Sequence, residues 1–291
     1  MPQTLIDTDW NREWMELQNE RRHADDSAFW DARAKHFRSR EMHPYARDFL
    51  RLANISPIDT VLDMGCGGGS LAIPLARSGA HVLACDFSPK MLEVLGQSAE
   101  EEGLCERIEP RILSWDDDWE AAEVRPKSVD VALASRSIAT HDLKGALEKL
   151  DRSARKRCCI TLIANASPRV DAHVMDAIGA AVSQSRDFVY AFNILIGMGR
   201  LPRVSYIESP RKDTFDSTED AYADFARMLK DTQDDPALYE RLRAYLTQHI
   251  VPNPEAGMPG QKDEPQGALM LDHTRIVRWA FISWEPKPIA N

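Results

Sequence analysis

Apolar and polar positions along this chain repeat with two different periods, and the change from one to the other marks its organisation. Near the start the spacing is helical. Trp10, Trp14 and Leu17 fall at i, i+4 and i+7, and Phe29, Arg33 and Phe37 continue a mixed face, so residues 8–53 read as helices. Pro44 stands where a helix can begin, with Tyr45, Phe49 and Leu52 behind it. From residue 60 short apolar runs take over, and they predict strands at 60–66, 81–87, 108–113, 129–135 and 157–165 with helices between most of them. Runs such as VDVALAS and CCITLIA lack polar alternation, which suits a parallel sheet covered on both faces.

After the fifth run the pattern shifts again. Ser167 and Pro168 cap a helix carrying Val170, Val174 and Ile178 on one face, and residues 187–199 form a second apolar helix ending at glycine. A strand at 203–207 and a last strand at 275–284 follow, separated by a long insertion. In it Ser217 and Asp220 have capping-box spacing before Tyr222, Phe225 and Met228. Asp235 and Pro236 open a helix with Leu238, Leu242 and Tyr245, and residues 251–267, rich in proline and glycine, make a loop. The resulting division is an N-terminal helical cap at 1–53, an α/β core at 54–215, a helical insertion at 216–273 that is either a lid or a cover for a sheet edge, and a final core strand and tail at 274–291.

Composition narrows the function classes. The 291 residues hold 46 acids against 36 bases, a formal charge of −10, which disfavours a polyanion partner because counterion release needs clustered Lys and Arg. The five cysteines (Cys66, Cys85, Cys105, Cys158 and Cys159) show neither C-x-x-C spacing nor a His/Cys cluster, so no metal site or disulfide framework is expected and a reducing cytoplasm fits best. The N-terminal residues lack the basic start and apolar core of a signal peptide. No apolar run approaches the ~20 residues of a membrane span.

The densest chemistry lies at Val61 to Gly69, VLDMGCGGG, where an apolar strand end meets an acid and then a glycine loop. A second apolar run, HVLA, leads to Cys85 and Asp86, and an acid at that offset suits a ribose-binding carboxylate at the tip of the next strand. Two details argue against a nicotinamide or flavin dinucleotide. The third glycine of G-x-G-x-x-G would fall at Ser70, and Asp63 would face a pyrophosphate with the wrong sign. A carboxylate there suits the cationic amino end of a methionine-type ligand.

The stretch VLDMGCGGGSLAIPLARSGAHVLACDFSPKMLEVL resembles the first two motifs of the class I S-adenosylmethionine-dependent methyltransferases, and the likeness continues to about residue 165. That resemblance implies a Rossmann-like, seven-stranded, mostly parallel sheet with the last strand antiparallel, here joined by N-terminal helices and a helical insertion before the last strand. It further implies S-adenosylmethionine as cofactor and S-adenosylhomocysteine as product. Asp63, Gly65 and Gly67 would line the methionine part, Asp86 would accept from both ribose hydroxyls, and Phe87 and Met91 would lie near the adenine edge. After the third strand the family often places an acid that accepts from the adenine amino group. Asp116 is the choice here, with Trp115 as an apolar wall, and Asp117 and Asp118 read as a solvated face.

The fourth strand ends in Ser135-Arg136-Ser137, with Ser135 assigned to the cofactor side. An N/D-P-P-Y/F motif, common at this spot in enzymes that methylate amide or nucleobase nitrogens, is absent. Arg136 suits a substrate carboxylate or phosphate, or the cofactor carboxylate. His141 is either a general base or simply the start of the next helix. Tyr45, Tyr190 and Asn193 are further candidates that serve equally well as packing. The reading is a methyltransferase acting by direct displacement, without metal, on an oxygen or nitrogen of a small molecule. A protein or RNA methyltransferase using a basic patch at Arg152 to Arg157, and a non-catalytic cofactor-binding module, are the alternatives. The oligomeric state is not legible.

Overall fold

Strands such as Thr60–Met64 and Val129–Ser135 form where runs of Val, Leu and Ala leave almost no polar position to face water, so they can exist only inside a covered sheet. In the computed structural model, which describes residues 7–21, 27–37, 42–182, 185–229, 235–260 and 265–288, they lie side by side. The parts of the expected helices at 22–26 and 38–41, and of the expected loop at 261–264, fall outside the described residues.

In chain order the elements are α1 (Trp10–Arg21), α2 (Ser27–Asp31), a 3-10 turn (Ala34–Phe37), α3 (Pro44–Ala53), β1 (Thr60–Met64), α4 (Ala72–Ser78), β2 (His81–Asp86), α5 (Pro89–Glu101), β3 (Ile108–Ile112), β4 (Val129–Ser135), α6 (Leu143–Ser153) and β5 (Ala154–Ile163). Then follow α7 (Ala172–Ala177), α8 (Phe188–Gly197), β6 (Arg203–Arg211), β7 (Thr214–Phe215), α9 (Thr218–Met228), α10 (Pro236–His249), β8 (Ile250–Pro252), β9 (Leu269–Leu271) and β10 (Arg275–Trp284). Seven strands make one sheet in the order β3-β2-β1-β4-β5-β10-β6, with the last strand in sequence antiparallel. The expected fold class is the one observed.

By internal contact the chain divides into two units. The first comprises Met1–Leu162, Asp187–Ile207 and Ala280–Asn291. Its core gathers Leu62, Met64, Ala132, Leu147, Leu150 and Ile160 from strands and α6, with Trp14 of α1 and Leu195 of α8 wholly enclosed. The indole N–H of Trp14 donates to Thr140 O at 2.7 Å, and Arg21 forms a two-pronged pair with the buried carboxylate of Asp187. A second buried carboxylate, Asp151, holds Arg200 by both oxygens and accepts the indole N–H of Trp284 at 3.0 Å. Four of the five thiols, Cys66, Cys85, Cys158 and Cys159, are buried and free, whereas Cys105 is exposed; burial pushes Cys85 and Cys159 up to about 12.

The second unit, Ile163–Arg186 with Glu208–Trp279, takes in more of the chain than the predicted insertion at 216–273. Its core unites Val174, Met175 and Ile178 of α7 with Phe225 of α9 and Leu242 and Leu246 of α10. The capping expectations for α9 and α10 hold: Ser217 Oγ accepts from Asp220 N at 3.1 Å, and Asp235 accepts from Ala237 N at 3.0 Å. A three-stranded antiparallel sheet, β7-β9-β8, was not foreseen, since strands of two or three residues are too short to show a period.

Three boundaries differ from expectation. The helix after the glycine loop, which the sequence SLAIPLARS predicts over 70–78, starts at Ala72, because residues 65–71 are spent turning the chain. β5 begins at Ala154, since Arg155 and Lys156 pair with Asp130 and Asp59 at the sheet end. α7 is capped by Asp171, whose carboxylate accepts from the amides of His173 and Val174, and not by Ser167 and Pro168.

Candidate functional site

β1 and β2 pair in parallel with Asp63 opposite Ala84 and Met64 opposite Cys85, so the chain leaving β1 meets the end of β2 at once. The amides of Gly65 and Cys66 both donate to the Cys85 carbonyl, at 2.7 and 2.9 Å. Gly65 has φ +75°, and a Cβ there would stand 2.3 Å from Ser137 Cβ, so only glycine fits. Ser137 Oγ donates to Met64 O at 2.6 Å, tying the segment after β4 to the same turn.

Asp86 ends β2 with both oxygens engaged: Gly67 N–H donates to Oδ2 and Ser88 N–H to Oδ1, each at 2.9 Å. Burial raises its pKa, and these amide bonds partly offset the rise. Asp63 is 2 % exposed, and its Oδ2 has no hydrogen-bond partner among the described residues. Burial, followed by the charge of Asp86, pushes its carboxyl up to about 7. A buried carboxyl oxygen without a donor suits a ligand's cationic or N–H group.

A third group closes this end of the sheet. Tyr45 of α3, 1 % exposed, shares hydrogen bonds with Ser135 Oγ at 2.8 Å and Thr161 Oγ1 at 2.7 Å. Thr161 Oγ1 also accepts from Arg136 N at 3.0 Å. Arg136 is held at φ +60°, unusual for a residue with a Cβ, and its guanidinium lies 4.2 Å from the centre of the Tyr45 ring. Burial is the main cause of the raised Tyr45 pKa.

Asp63, Gly65, Gly67 and Asp86 are therefore gathered at the paired ends of β1 and β2, and Ser135 and Arg136 are linked to one another through Tyr45 and Thr161. Trp115 reaches the same neighbourhood, its indole N–H donating to Ser137 O at 2.8 Å while its ring stacks on Trp119. Phe87 is half-buried, and Met91 is buried in the first turn of α5, its amide donating to Ser88 Oγ. Asp116 is exposed and its backbone N–H bonds Ser114 Oγ, whereas Asp117 and Asp118 accept backbone amides of their own loop. His141 is exposed, with Nε2 3.1 Å from Asn19 Oδ1, and the following Asp142 caps α6. Tyr190 packs edge-on against Trp10 and Trp14, and Asn193 bonds a carbonyl of its own helix.

Three residues of this region were not singled out from sequence. Ser88 had a signal, since Ser-Pro is a helix start and its hydroxyl caps α5. Thr161 sits inside an apolar run, and Asp31 lies off the Phe29, Arg33 and Phe37 face, at a position whose spacing assigns it no partner.

A family profile described as a methyltransferase domain matches residues 61–157, the stretch from β1 into β5. An uncharacterised protein of Haemophilus influenzae is 34% identical over 165 residues, which cover 57% of this chain and 59% of that one. A release factor glutamine methyltransferase of Cereibacter sphaeroides is 34% identical over 122 residues (41% of this chain, 42% of the relative). A ubiquinone biosynthesis O-methyltransferase of Hahella chejuensis is 33% identical over 103 residues (35% and 41%). The chain thus spans about three-fifths or less of the length of these relatives. Among solved structures, the YcgJ protein from Bacillus subtilis shares the fold with a TM-score of 0.50 at 14% identity, covering 84% of this chain and 98% of that one.

Proposed function

We propose that this chain, which residues 61–157 place among the class I S-adenosylmethionine-dependent methyltransferases, transfers a methyl group to an oxygen or nitrogen of a small molecule by direct displacement. The observation that carries the reading is the orphaned carboxyl oxygen of Asp63 beside the glycine loop and Asp86. Bound S-adenosylmethionine supplies an electrophilic methyl group on a sulfonium, together with an ammonium group. Asp63 takes the cationic amino end, and the charge it meets there replaces the missing partner. Gly65 and Gly67 let backbone approach the cofactor, and Asp86 receives the ribose hydroxyls through charge-assisted bonds. Phe87, Met91 and Trp115 supply apolar contact for the base, and Asp116 an acceptor for its amino group.

On the acceptor side, Arg136 holds an anionic group and His141 takes the proton released as the new bond forms. Ser135, at the end of β4, stands on the cofactor side, its hydroxyl held by Tyr45. The protein's share of the rate is alignment and exclusion of water.

A small acceptor is favoured over RNA by the state of the basic stretch at 152–157. Arg152 pairs with Glu120, Arg155 with Asp130 at 3.1 Å, and Lys156 with Asp59 at 2.7 Å, so three of its four cations already have carboxylate partners, and Arg157 donates to Ala53 O at 2.7 Å. The O-methyltransferase relative supports an oxygen acceptor, and Ser135-Arg136-Ser137 in place of N/D-P-P-Y/F speaks against glutamine. Methyl-labelled cofactor incubated with the protein and a fractionated extract tests this: label in small metabolites is expected, and label confined to macromolecules would overturn it.

A further inference from the structure

The N-terminal segment at 27–37 does more than pack against α5. Ser88, fully buried, donates its hydroxyl to Asp31 Oδ1 at 2.5 Å. A hydroxyl has one proton, so this bond fixes its rotor and leaves a lone pair for the amide of Met91, which it accepts at 3.2 Å. Asp31 also lies 3.4 Å from Lys90 N, placing a negative charge over the first turn of the 13-residue α5. Ser88 N–H in turn donates to Asp86 Oδ1. The far end of the segment meets the glycine loop. A Cβ on Gly68 would lie 2.9 Å from Phe37 O and 3.2 Å from Phe37 Cβ, so the segment passes through the space that Gly68 leaves open.

We propose that Asp31 is a positioning residue for the cofactor carboxylate: through Ser88 it sets the orientation of Asp86, with Gly68 admitting the segment that carries it. The proposal rests on the reading of Asp86 as the ribose acceptor. Asp31 touches no reacting atom in this scheme. It acts by holding the Ser88 hydroxyl, hence the start of α5, hence the amide that grips Asp86.

The test is calorimetric binding of S-adenosylhomocysteine to the full chain and three variants, Asp31→Ala, Asp31→Asn and Asp86→Ala. Asp31→Ala should bind roughly tenfold more weakly, the loss expected for one hydrogen bond to a charged group. Asp31→Asn, which keeps an oxygen for Ser88, should recover most of that loss, a rescue that simple truncation of packing does not produce. Should Asp31→Ala unfold, Gly68→Ala serves in its place and should also weaken binding, because it displaces the segment at its other anchor. Weakened binding by Asp86→Ala with wild-type binding by Asp31→Ala and Gly68→Ala overturns the proposal alone. Wild-type binding by Asp86→Ala overturns the ribose assignment beneath it.

Discussion

Asp63 and Asp86 stand near the carboxyl ends of two paired parallel strands, and burial together with the Asp86 charge pushes the Asp63 carboxyl up to about 7. Its folded pKa lies above the unfolded value of about 4, so the native state holds a proton that the unfolded chain has released. Stability conferred by that proton is present below pH ~4 and is lost as pH rises through about 7. Asp63→Asn should therefore stabilise the free protein by roughly 4 kcal/mol at pH 8 and by less than half of that at pH 5, while weakening cofactor binding. Urea midpoints at the two pH values check this, and an equal gain at both would reject it.

Cofactor affinity should share that pH dependence. A cationic group docking on Asp63 expels its proton, so S-adenosylhomocysteine should bind more weakly as pH falls from 8 to 6, with proton release visible as a buffer-dependent binding enthalpy. In Asp63→Asn both effects should vanish. Persistence of the proton release in that variant would assign it elsewhere.

On the proposed role of Asp86 as ribose acceptor, Asp86→Ala removes the partner of two hydroxyls, and it also frees the amides of Gly67 and Ser88. Loss of affinity should reach roughly 100-fold or more, from two charge-assisted bonds of about 1.5 kcal/mol each. Competition with labelled cofactor measures it directly.

Tyr45→Phe leaves Ser135 and Thr161 without their shared partner in a buried place. It should cost roughly 1–3 kcal/mol in urea unfolding, the penalty for buried polar groups left unmatched. Because Thr161 still accepts from Arg136 N, the strained backbone at 136 should persist, and a crystal structure of the variant would show whether it does.

Asp151 makes a separate prediction about acid. Burial opposes its ionisation, but the bonds from Arg200 and Trp284 outweigh that and lower its pKa. Its stabilising share is present above the unfolded value near ~4 and disappears as pH falls through the lower folded one. Asp151→Ala, which strands the largely buried guanidinium of Arg200, should cost roughly 3 kcal/mol at pH 7, and the gap to wild type should narrow on acidification. A gap that widened instead would contradict it.

His141→Asn retains a polar contact for Asn19 and removes the proton acceptor. If the imidazole accepts the acceptor's proton, kcat should drop by about 100-fold and the acid limb of the rate profile should flatten. An unchanged profile would leave His141 with its bond to Asn19 alone.

Much of this was legible in the chain because local chemistry dictated it. VLDMGCGGG and the acid at 86 announce a strand, a turn that tolerates no Cβ and a paired carboxylate, and the structure assembles them as neighbours. Pro44, Ser217 and Asp235 mark helix starts by the same local rules. What escaped was set by partners distant in sequence. Asp31 meets Ser88 across 57 positions and Tyr45 meets Thr161 across 116, and neither pairing leaves a periodic trace. The small β7-β9-β8 sheet is hidden for another reason, its strands being shorter than one repeat of any pattern.

The distribution of thiols has a practical outcome. Cys66, Cys85, Cys158 and Cys159 are shut away from solvent with their ionisation suppressed, whereas Cys105 sits exposed in the turn after α5. A maleimide added to the native protein should mark it once, at that turn, giving spectroscopists a single fluorophore or spin label just beyond the C-terminal end of the helix that Ser88 caps, without altering one residue.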